Sequence, residues 1–498
     1  MAKQDRESFY QFAKRIEEVK LQPLFMSTQL SPQVFLRLGQ LQDPDGCLLP
    51  SLRHLYISEN PYLDHLDVFL SPSLRTLEIS PLSTNINHCG LTSFLDSAVE
   101  LSSDLETLIL VDPCELPRKV FDSCSKFGQL RHLELIDVVA SAIDPLLHNM
   151  GSLEQHLDRF VLQERRNPSL KMYSSRNTAN SVQTSVVDGL PGVIEVPTSD
   201  AVTAPALGVT SRSPVPSTAG TRTPFAVSQG LRTLKITGTS DLVEKVVSAI
   251  TSPALHDLCV TFTTNTPRVT EVTKTKKRKG KAEDMGKKSA KSMEKVVDSV
   301  TYILSIAIDR WKALASINVK ADTRKTVFLP EDVFRHLLLQ PGVRRLEITN
   351  FDISSVDSAL SNLAAQHHIS QLEILLLPTN CSHSISFYRL QEIAEACPKL
   401  TSLRCVVDSA GLVPQLSDPM SHQLHELSVV SDNIGGPDLQ HVSLVASFID
   451  SLFPNLAKMA VEVESTRAEY GREWLQVFGM VKLFQTARAQ ERRRLSIM

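Results

Sequence analysis

Cysteine and histidine are the residues in this sequence that could serve a metal site or a nucleophilic mechanism. The eight cysteines include no Cys-x-x-Cys pair, the tight spacing by which zinc sites are usually recognised. Cys381 and His383 come closest, but a single pair without a second favours an ordinary loop over half of a metal site. His367 and His368 end a helical pattern, where surface histidines are common.

Catalytic motifs are not found in the sequence. There is no glycine-rich phosphate loop, no Gly-x-Ser-x-Gly elbow and no His-Glu-x-x-His string, and no cysteine and histidine are spaced as a nucleophile and its base. We therefore expect a protein that is not an enzyme, with no catalytic residues, no cofactor and no metal.

A run of basic residues offers a different kind of chemistry, the attraction of an acidic partner. Between residues 274 and 295, ten lysines and arginines stand against three acidic residues, although the whole chain has a formal net charge of -3. The compact centre of the run is Lys276, Lys277, Arg278 and Lys279. This centre fits a nuclear-import signal and a solvated linker equally well. Nucleic-acid binding is unfavoured, because no aromatic residue interrupts the run to stack on bases.

The composition is that of a globular protein, with 42% hydrophobic and 21% charged residues in a chain of 498. No apolar run approaches the roughly 20 residues needed to span a bilayer. The first twenty residues are charged throughout and lack the apolar stretch of a signal peptide. We expect no membrane association and an intracellular location, in the cytoplasm, the nucleus or both.

The strongest signal is a recurring Leu-x-x-Leu-x-Leu string, which implies a repeated strand. The strings begin at Leu52, Leu74, Leu105, Leu130, Leu231, Leu255, Leu314, Val343, Leu372, Leu400, Leu424 and Leu456, with a further one expected at Ile16. Within a string the fourth and sixth residues face inward, as in a half-buried strand, and the first enters the strand from a turn. Most strings lie 22 to 32 residues apart, the period of a leucine-rich repeat.

Segments between the strings show apolar residues at helical spacing, among them 242–250, 356–365, 390–397 and 445–453. The predicted fold class is therefore α/β: a degenerate leucine-rich-repeat solenoid with parallel strands on one face, helices on the other and two disordered inserts. The repeats are degenerate because the asparagine slot after the strand is filled only by Asn60 and Asn380.

Two stretches break the period and divide the chain. An amphipathic segment, 142–166, opens the first gap, and from residue 197 to 230 as many as 19 of 34 residues are Ser, Thr, Pro or Gly. The predicted organisation is N-terminal repeats over 1–166, a disordered insert over 167–229, further repeats over 230–264, a basic disordered insert over 265–295, C-terminal repeats over 296–465 and a C-terminal capping helix over 466–498.

The capping helix is predicted from a stripe of apolar residues on one helical face. The stripe consists of Trp474, Val477, Phe478, Val481 and Phe484. Because the last repeat has no later neighbour to cover its apolar edge, we expect the stripe to fold back onto it, although a partner-binding helix is the competing interpretation. The arginines that follow are explained by the helix macrodipole without a partner.

The third and fifth residues of each string point outward and form the default binding surface of a repeat array. The candidate protein-binding residues are His54, Tyr56, Thr76, Glu78, His132, Glu134, Thr233, Lys235, Arg345, Glu347, Ser402, Arg404, Glu426 and Ser428. Their mixed charge and single aromatic ring indicate a polar protein surface, or simply the solvated side of a sheet.

Four segments together resemble a known family. They are 9–21, 30–57, the closing repeat LVASFIDSLFPNLAKMAV and the tail EWLQVFGMVKLFQTARAQER. Their order resembles the fungal, mushroom-type F-box proteins with degenerate leucine-rich repeats. The resemblance implies the substrate-recognition part of an SCF-type ubiquitin ligase, in which a helical F-box docks Skp1.

The sequence departs from that family in one respect. No Leu-Pro-x-Glu-like opening of an F-box is recognised, and the residues before Phe9 are too few to hold the module. We therefore expect either a chain that starts at an internal methionine or a member that has lost its F-box, and no binding to Skp1. The predicted function is a non-catalytic protein-binding module whose partner is unknown; the alternative is a nuclear or cytosolic scaffold unconnected with ubiquitin ligation.

Overall fold

A computed structural model describes most of the chain outside the two long gaps between strings. The described residues are 3–21, 32–41, 47–58, 63–80, 88–112, 116, 118–139, 143–153, 156–165, 230–263, 297–322, 327–353, 356–361, 371–379, 384–408, 411–416, 419–431, 439–462 and 471–497. All of them belong to one compact unit, made of residues 1–165 and 228–498. Both predicted inserts, 167–229 and 265–295, lie entirely outside the described residues.

Fourteen parallel strands form one sheet in the order in which they occur along the chain. They are β1 (Glu18–Leu21), β2 (His54–Ser58), β3 (Thr76–Ser80), β4 (Thr107–Val111), β5 (His132–Val138), β6 (Arg159–Glu164), β7 (Thr233–Gly238), β8 (Asp257–Thr263), β9 (Ser316–Asp322), β11 (Arg345–Thr349), β13 (Ile374–Leu376), β14 (Ser402–Val407), β15 (Glu426–Ser431) and β16 (Lys458–Glu462). Two short strands, β10 (Val327–Leu329) and β12 (Phe351–Ile353), pair separately.

Helices occupy most of the connections between consecutive strands. They are α1 (Lys3–Ala13), α2 (Pro32–Gly39), α3 (His88–Leu101), α4 (Arg118–Cys124), α5 (Ile143–Leu153), α6 (Ser240–Ala249), α7 (residues 297–310), α8 (Glu331–Leu338), α9 (Val356–Ala359), α10 (Phe387–Ala396), α11 (Leu439–Leu452) and α12 (Gly471–Ile497), with a 3-10 helix at Leu63–Phe69. The α/β class and the parallel sheet predicted from the strings are therefore confirmed.

The strings become strands because their leucines are buried on one side only. In the string at Leu52 the first, fourth and sixth residues, Leu52, Leu55 and Ile57, are at most 2% exposed. The third and fifth, His54 and Tyr56, remain partly exposed, so the strand alternates as predicted. The same alternation recurs from string to string, and the inward side chains join those of the helices in one hydrophobic core.

A tight turn precedes several of the strands and stops the helix before them. In Leu49-Pro50-Ser51-Leu52 the Leu52 N–H donates to the Leu49 carbonyl at 3.1 Å, and Pro50 holds the position that type I turns favour for proline. Equivalent proline turns with this hydrogen bond end at Leu74, Val343, Leu400 and Leu456. The turn places the first leucine of the string at the entrance of the strand.

A ladder of backbone hydrogen bonds aligns the strands at their entrances. The second residue of each string donates its N–H to the carbonyl of the second residue of the preceding string: Arg75 to Arg53 at 2.9 Å, and Glu106 to Arg75 at 2.9 Å. The series runs without interruption from the Glu17 carbonyl to the Ala457 N–H. Because every strand begins at the same level, the side chains of all fourteen strands fall into register.

The amphipathic segment 142–166 is one place where the sequence interpretation was incomplete. The structure divides it into helix α5 and strand β6, which follows an unrecognised string, LDRFVL, beginning at Leu157. Phe160 fills the fourth position, where the Leu-x-x-Leu-x-Leu pattern has an aliphatic residue, and it is fully buried. Strand β6 pairs with β5 on one side and β7 on the other. It therefore carries the sheet across the gap between the strings at Leu130 and Leu231.

A buried histidine joins three successive strand units near the C-terminus. The Leu424 N–H donates to Nδ1 of His422 at 3.0 Å, so Nδ1 carries no proton and Nε2 donates its proton to the Cys397 carbonyl at 2.9 Å. The ring also packs edge-on against Phe453, with centroids 5.1 Å apart. Burial lowers the pKa of His422 below its ordinary value of 6.5, partly opposed by the Cys397 carbonyl.

This arrangement predicts a loss of stability in mild acid. Because the folded protein binds a proton at His422 only below pH 6.5, the unfolded state takes up more protons as the pH falls through that value. We expect the free energy of unfolding to fall between pH 7.5 and 5.5, by up to about 1.4 kcal/mol per pH unit for each such histidine. Urea denaturation at a series of pH values measures this slope.

His422→Gln should flatten the pH slope relative to the wild type. His132, whose pKa burial also lowers, should contribute a residual slope in the His422 variant. Equal slopes in wild type and His422→Gln would contradict the assignment.

Helix α12 covers the end of the sheet. Trp474, Val477, Phe478 and Val481 are between 0% and 5% exposed, and the helix contacts α11 as well as β15 and β16. Arg488 forms an ion pair with the buried carboxylate of Asp450 on α11. Burial raises the pKa of Asp450, and Arg488 opposes this rise. Among the described residues, no helix combines the length and the apolar character needed to cross a membrane.

Candidate protein-binding face

One face of the sheet carries two rows of side chains that cross all fourteen strands; we call it the exposed sheet face. The first row, from the third string position, is Glu18, His54, Thr76, Thr107, His132, Arg159, Thr233, Asp257, Ser316, Arg345, Ile374, Ser402, Glu426 and Lys458. The second row, from the fifth, is Lys20, Tyr56, Glu78, Ile109, Glu134, Val161, Lys235, Cys259, Asn318, Glu347, Leu376, Arg404, Ser428 and Ala460.

All fourteen residues proposed from the sequence lie on this face. They come from seven strands, and the register places each pair in the same two rows. The other seven strands add residues that were not among the fourteen candidates, including the apolar Ile109, Val161, Ile374 and Leu376. The same third and fifth positions would have identified them. The face is therefore less uniformly polar than the sequence analysis expected.

The charges of the face balance. The two rows hold six acidic and six basic side chains. Several are paired with each other, as in Arg345 with Glu347 at 2.9 Å and Lys20 with Glu18 at 2.7 Å. Surfaces that bind nucleic acid present a clear excess of lysine and arginine to the phosphates. The exposed sheet face does not.

One charged cluster lies at the middle of the N-terminal half of the face. His132 Nε2 lies 2.8 Å from Glu134 Oε1, and Arg159 Nη2 lies 3.6 Å from the same oxygen. Burial lowers the pKa of His132, and the nearby Glu134 carboxylate only partly offsets this. At neutral pH His132 is therefore neutral, and Arg159 supplies the positive charge that balances the half-buried carboxylate.

An aromatic contact lies near the first strand. The Lys20 ammonium sits 5.0 Å from the centroid of the Tyr56 ring, within the range of a cation–π interaction. Tyr56 is partly buried between Lys20 and Glu78 of the neighbouring strands. A partly buried tyrosine with neighbours on both sides is the kind of side chain that serves as a rigid contact in protein interfaces.

An apolar centre with a polar border lies on strands β11, β13 and β14; we call it the β13 patch. Its centre is Ile374 and Leu376, which face Arg345 and Glu347 on one side and Ser402 and Arg404 on the other. Arg404 is fixed by hydrogen bonds from Nε to the Leu377 carbonyl at 3.2 Å and from Nη2 to Thr349 Oγ1 at 3.4 Å. An apolar centre ringed by ordered polar groups is typical of the part of an interface that contributes most binding energy.

Three of the described cysteines have thiol pKa values raised by burial. Burial raises the pKa of the Cys124 and Cys397 thiols to about 12, so both stay protonated at neutral pH. Cys259 on the exposed sheet face also has a raised pKa, mainly because it is partly buried. In the part of the chain that the structure describes, no three or more His, Cys, Asp or Glu side chains are grouped to hold a metal ion.

Several sites singled out from the sequence lie outside the described residues. They are Cys381 and His383, the histidines His367 and His368, the two asparagine slots at Asn60 and Asn380, and the basic run with Lys276, Lys277, Arg278 and Lys279.

Comparisons with known proteins leave the family open. No protein-family model matches the chain, and no curated protein matches its sequence. Among solved structures, a chain from the crystal structure of the yeast Rad7 and Elc1 complex shares 13% identity with it, covering 85% of this chain and 93% of that one. The TM-score is 0.29, too low to support an argument about fold or function.

One segment between β10 and β11 is similar to the Leu-Pro-x-Glu opening of an F-box. Residues 329–332 read Leu-Pro-Glu-Asp. In the structure Leu329 ends β10, and Glu331 starts helix α8, which is eight residues long and leads directly to β11 of the main sheet. Glu331 pairs with Arg335 one turn later at 2.8 Å. This string is therefore part of a strand–helix–strand unit and not of a separate helical module.

Proposed function

We propose that the chain is a degenerate leucine-rich-repeat solenoid that binds another protein through the exposed sheet face and carries out no reaction of its own. The observation that carries the proposal is the unbroken register of two side-chain rows across fourteen strands. At about 4.8 Å per strand, each row has a contour of about 60 Å, long enough to receive an extended partner segment. On this proposal the protein acts in the cytoplasm, the nucleus or both.

The balance of charge favours a protein as the partner. Six acidic and six basic side chains give the face no net attraction for a polyanion, and many of them already have partners on the face. Protein interfaces combine apolar anchors with polar groups of both signs, as the β13 patch does. We assign the centre of binding to this patch because Ile374 and Leu376 are the two apolar residues that occupy both rows of one strand.

A narrower proposal follows from the resemblance to fungal F-box proteins. The bound protein would then be a substrate of an SCF-type ubiquitin ligase, and this chain would hold it through the exposed sheet face. In the alternative, the same face serves a nuclear or cytosolic scaffold. An in-frame F-box encoded upstream of Met1 in the genome would support the ligase proposal.

Photo-crosslinking tests the face directly. With a benzoyl-phenylalanine in place of Leu376, we expect ultraviolet light to attach a distinct protein in an extract of the source cells, because a bound partner covers this position. The matched control carries the same group in place of Leu444, which is 50% exposed on helix α11, away from the exposed sheet face. Equal adducts from both positions, or adducts from the Leu444 position alone, would contradict the proposal.

A further inference from the structure

The C-terminal end of helix α12 leaves the hydrophobic core, unlike its beginning. Its first half carries the buried stripe that starts at Trp474, and further along the helix Arg488 forms an ion pair with Asp450. Residues 489–496 are all exposed. Among the described residues, none of the side chains of these last two turns belongs to the hydrophobic core.

This exposed end places a serine hydroxyl two residues after a run of three arginines. The order is Arg492, Arg493, Arg494, Leu495 and Ser496, followed by Ile497. The Ser496 hydroxyl donates only a local hydrogen bond, to the Arg493 carbonyl at 2.9 Å. From these observations we propose that Ser496 is a phosphorylation site for a serine/threonine kinase whose substrate groove is acidic.

The spacing between the arginines and Ser496 indicates how a kinase would recognise this segment. Arginines two and three residues before the acceptor present guanidinium groups that pair with carboxylates by two parallel hydrogen bonds, a pattern by which kinases select substrates. The macrodipole explains arginines at a helix C-terminus, but it does not require a hydroxyl at a fixed distance after them. Leu495 is 65% exposed, so no buried contact accounts for it or for the residues beside it.

The position of Ser496 at the exposed end of α12 also allows the segment around it to enter the substrate groove of a kinase. Kinases bind their substrates as extended chains, so the last turn of the helix must unwind. Since residues 489–496 contact no core, unwinding costs only a few intrahelical hydrogen bonds at an end that frays readily.

In the reaction, Ser496 Oγ attacks the γ-phosphorus of ATP supplied with the kinase and its magnesium. The new O–P bond forms as the bond between the γ-phosphorus and the ADP oxygen breaks, and the hydroxyl proton passes to a carboxylate of the kinase. The phosphate adds a charge of about -1.5 to -2. Arg492 and Arg493, four and three residues earlier, lie on the same helix face and can pair with it. The modification would thus offset part of the positive charge of Arg492, Arg493 and Arg494.

Incubation of the full chain with ATP and a purified kinase of the cyclic-AMP-dependent, arginine-directed class tests the proposal. Cleavage after Glu491 with a glutamyl endopeptidase releases residues 492–498, whose mass reports the phosphate at Ser496. We expect this fragment to become phosphorylated, and Arg493→Gln with Arg494→Gln to slow the reaction at least about tenfold. These variants alter exposed residues only, so the fold should be kept.

Thr486 provides the matched control within the same helix. Its hydroxyl is exposed and donates to the Lys482 carbonyl at 2.8 Å, as Ser496 does to Arg493, but no arginine lies two or three residues before it. We expect Thr486→Ala to leave incorporation into the chain unchanged and Ser496→Ala to abolish it in the 492–498 fragment. An unmodified fragment in the full chain, or equal rates in the double arginine variant, would overturn the proposal.

Discussion

Replacing Trp474 with alanine is expected to lower the free energy of unfolding by about 3–5 kcal/mol, a large part of the roughly 5–15 kcal/mol of a typical protein. The indole is 2% exposed, lies 5.8 Å from the Phe478 ring and begins the stripe by which α12 covers β15 and β16. Its removal leaves a cavity and loosens the helix that shields the apolar edge of the last strand. Urea denaturation followed by circular dichroism measures the loss.

Leu475→Ala is the matched control, because Leu475 is the next residue of the same helix and is 62% exposed. This change should alter the free energy of unfolding by no more than about 0.5 kcal/mol. In a Trp311→Phe background the fluorescence of Trp474 alone reports its surroundings, since the chain has two tryptophans. Emission typical of an exposed indole, together with an unchanged denaturation midpoint in Trp474→Ala, would contradict the capping role.

Phe160→Ala is expected to lower the free energy of unfolding by a similar amount, about 3–5 kcal/mol. The ring is fully buried and stands in register with Leu133 of β5 and Leu234 of β7. Because β6 is the strand that joins the sheet before and after the long gap, its loss should uncouple the two parts. We expect hydrogen exchange to quicken in β5, β6 and β7 together.

Two controls separate the role of β6 from that of its surroundings. Gln163→Ala, on the other face of the same strand, should cost no more than about 0.5 kcal/mol. Deleting residues 170–226 should also leave the melting cooperativity intact, since the eleven residues that remain between β6 and β7 can span about 36 Å. The strand they must return along is about 20 Å long. A Phe160 variant as stable as wild type would show that β6 does not carry the sheet across the gap.

The period of the sheet could be predicted from the sequence because burial acts on every repeat in the same way. Leucines at the first, fourth and sixth positions identified thirteen of the fourteen strands of the main sheet, and the helix at 242–250 followed from its apolar spacing. Strand β6 was missed because Phe160 takes the place of an aliphatic residue. The x-Pro-x-Leu turn, visible at Pro50 and Pro398, would have marked several strand entrances independently.

Contacts between distant residues could not be predicted in this way. Nothing in the sequence around His422 indicates that its two ring nitrogens bridge the Leu424 N–H and the Cys397 carbonyl. The pairing of Arg488 with Asp450 likewise depends on how α12 packs on α11. The position of the candidate face was predictable, because the outward residues follow from the strand period. Its partner was not predictable, since the fold does not determine which residue types occupy the outward positions.

The most direct test of whether the exposed sheet face binds protein uses the crosslinked partner after it has been identified. The quantity to measure is the dissociation constant of its complex with this chain. The comparison is between the wild type, Leu376→Arg in the centre of the β13 patch, and Leu444→Arg on helix α11. Loss of an interface anchor costs at least about 2 kcal/mol, so Leu376→Arg should weaken binding by about thirtyfold or more. Leu444→Arg should stay within about twofold of the wild type. Equal affinities for all three proteins, measured with circular dichroism spectra that show all three folded, would contradict the account.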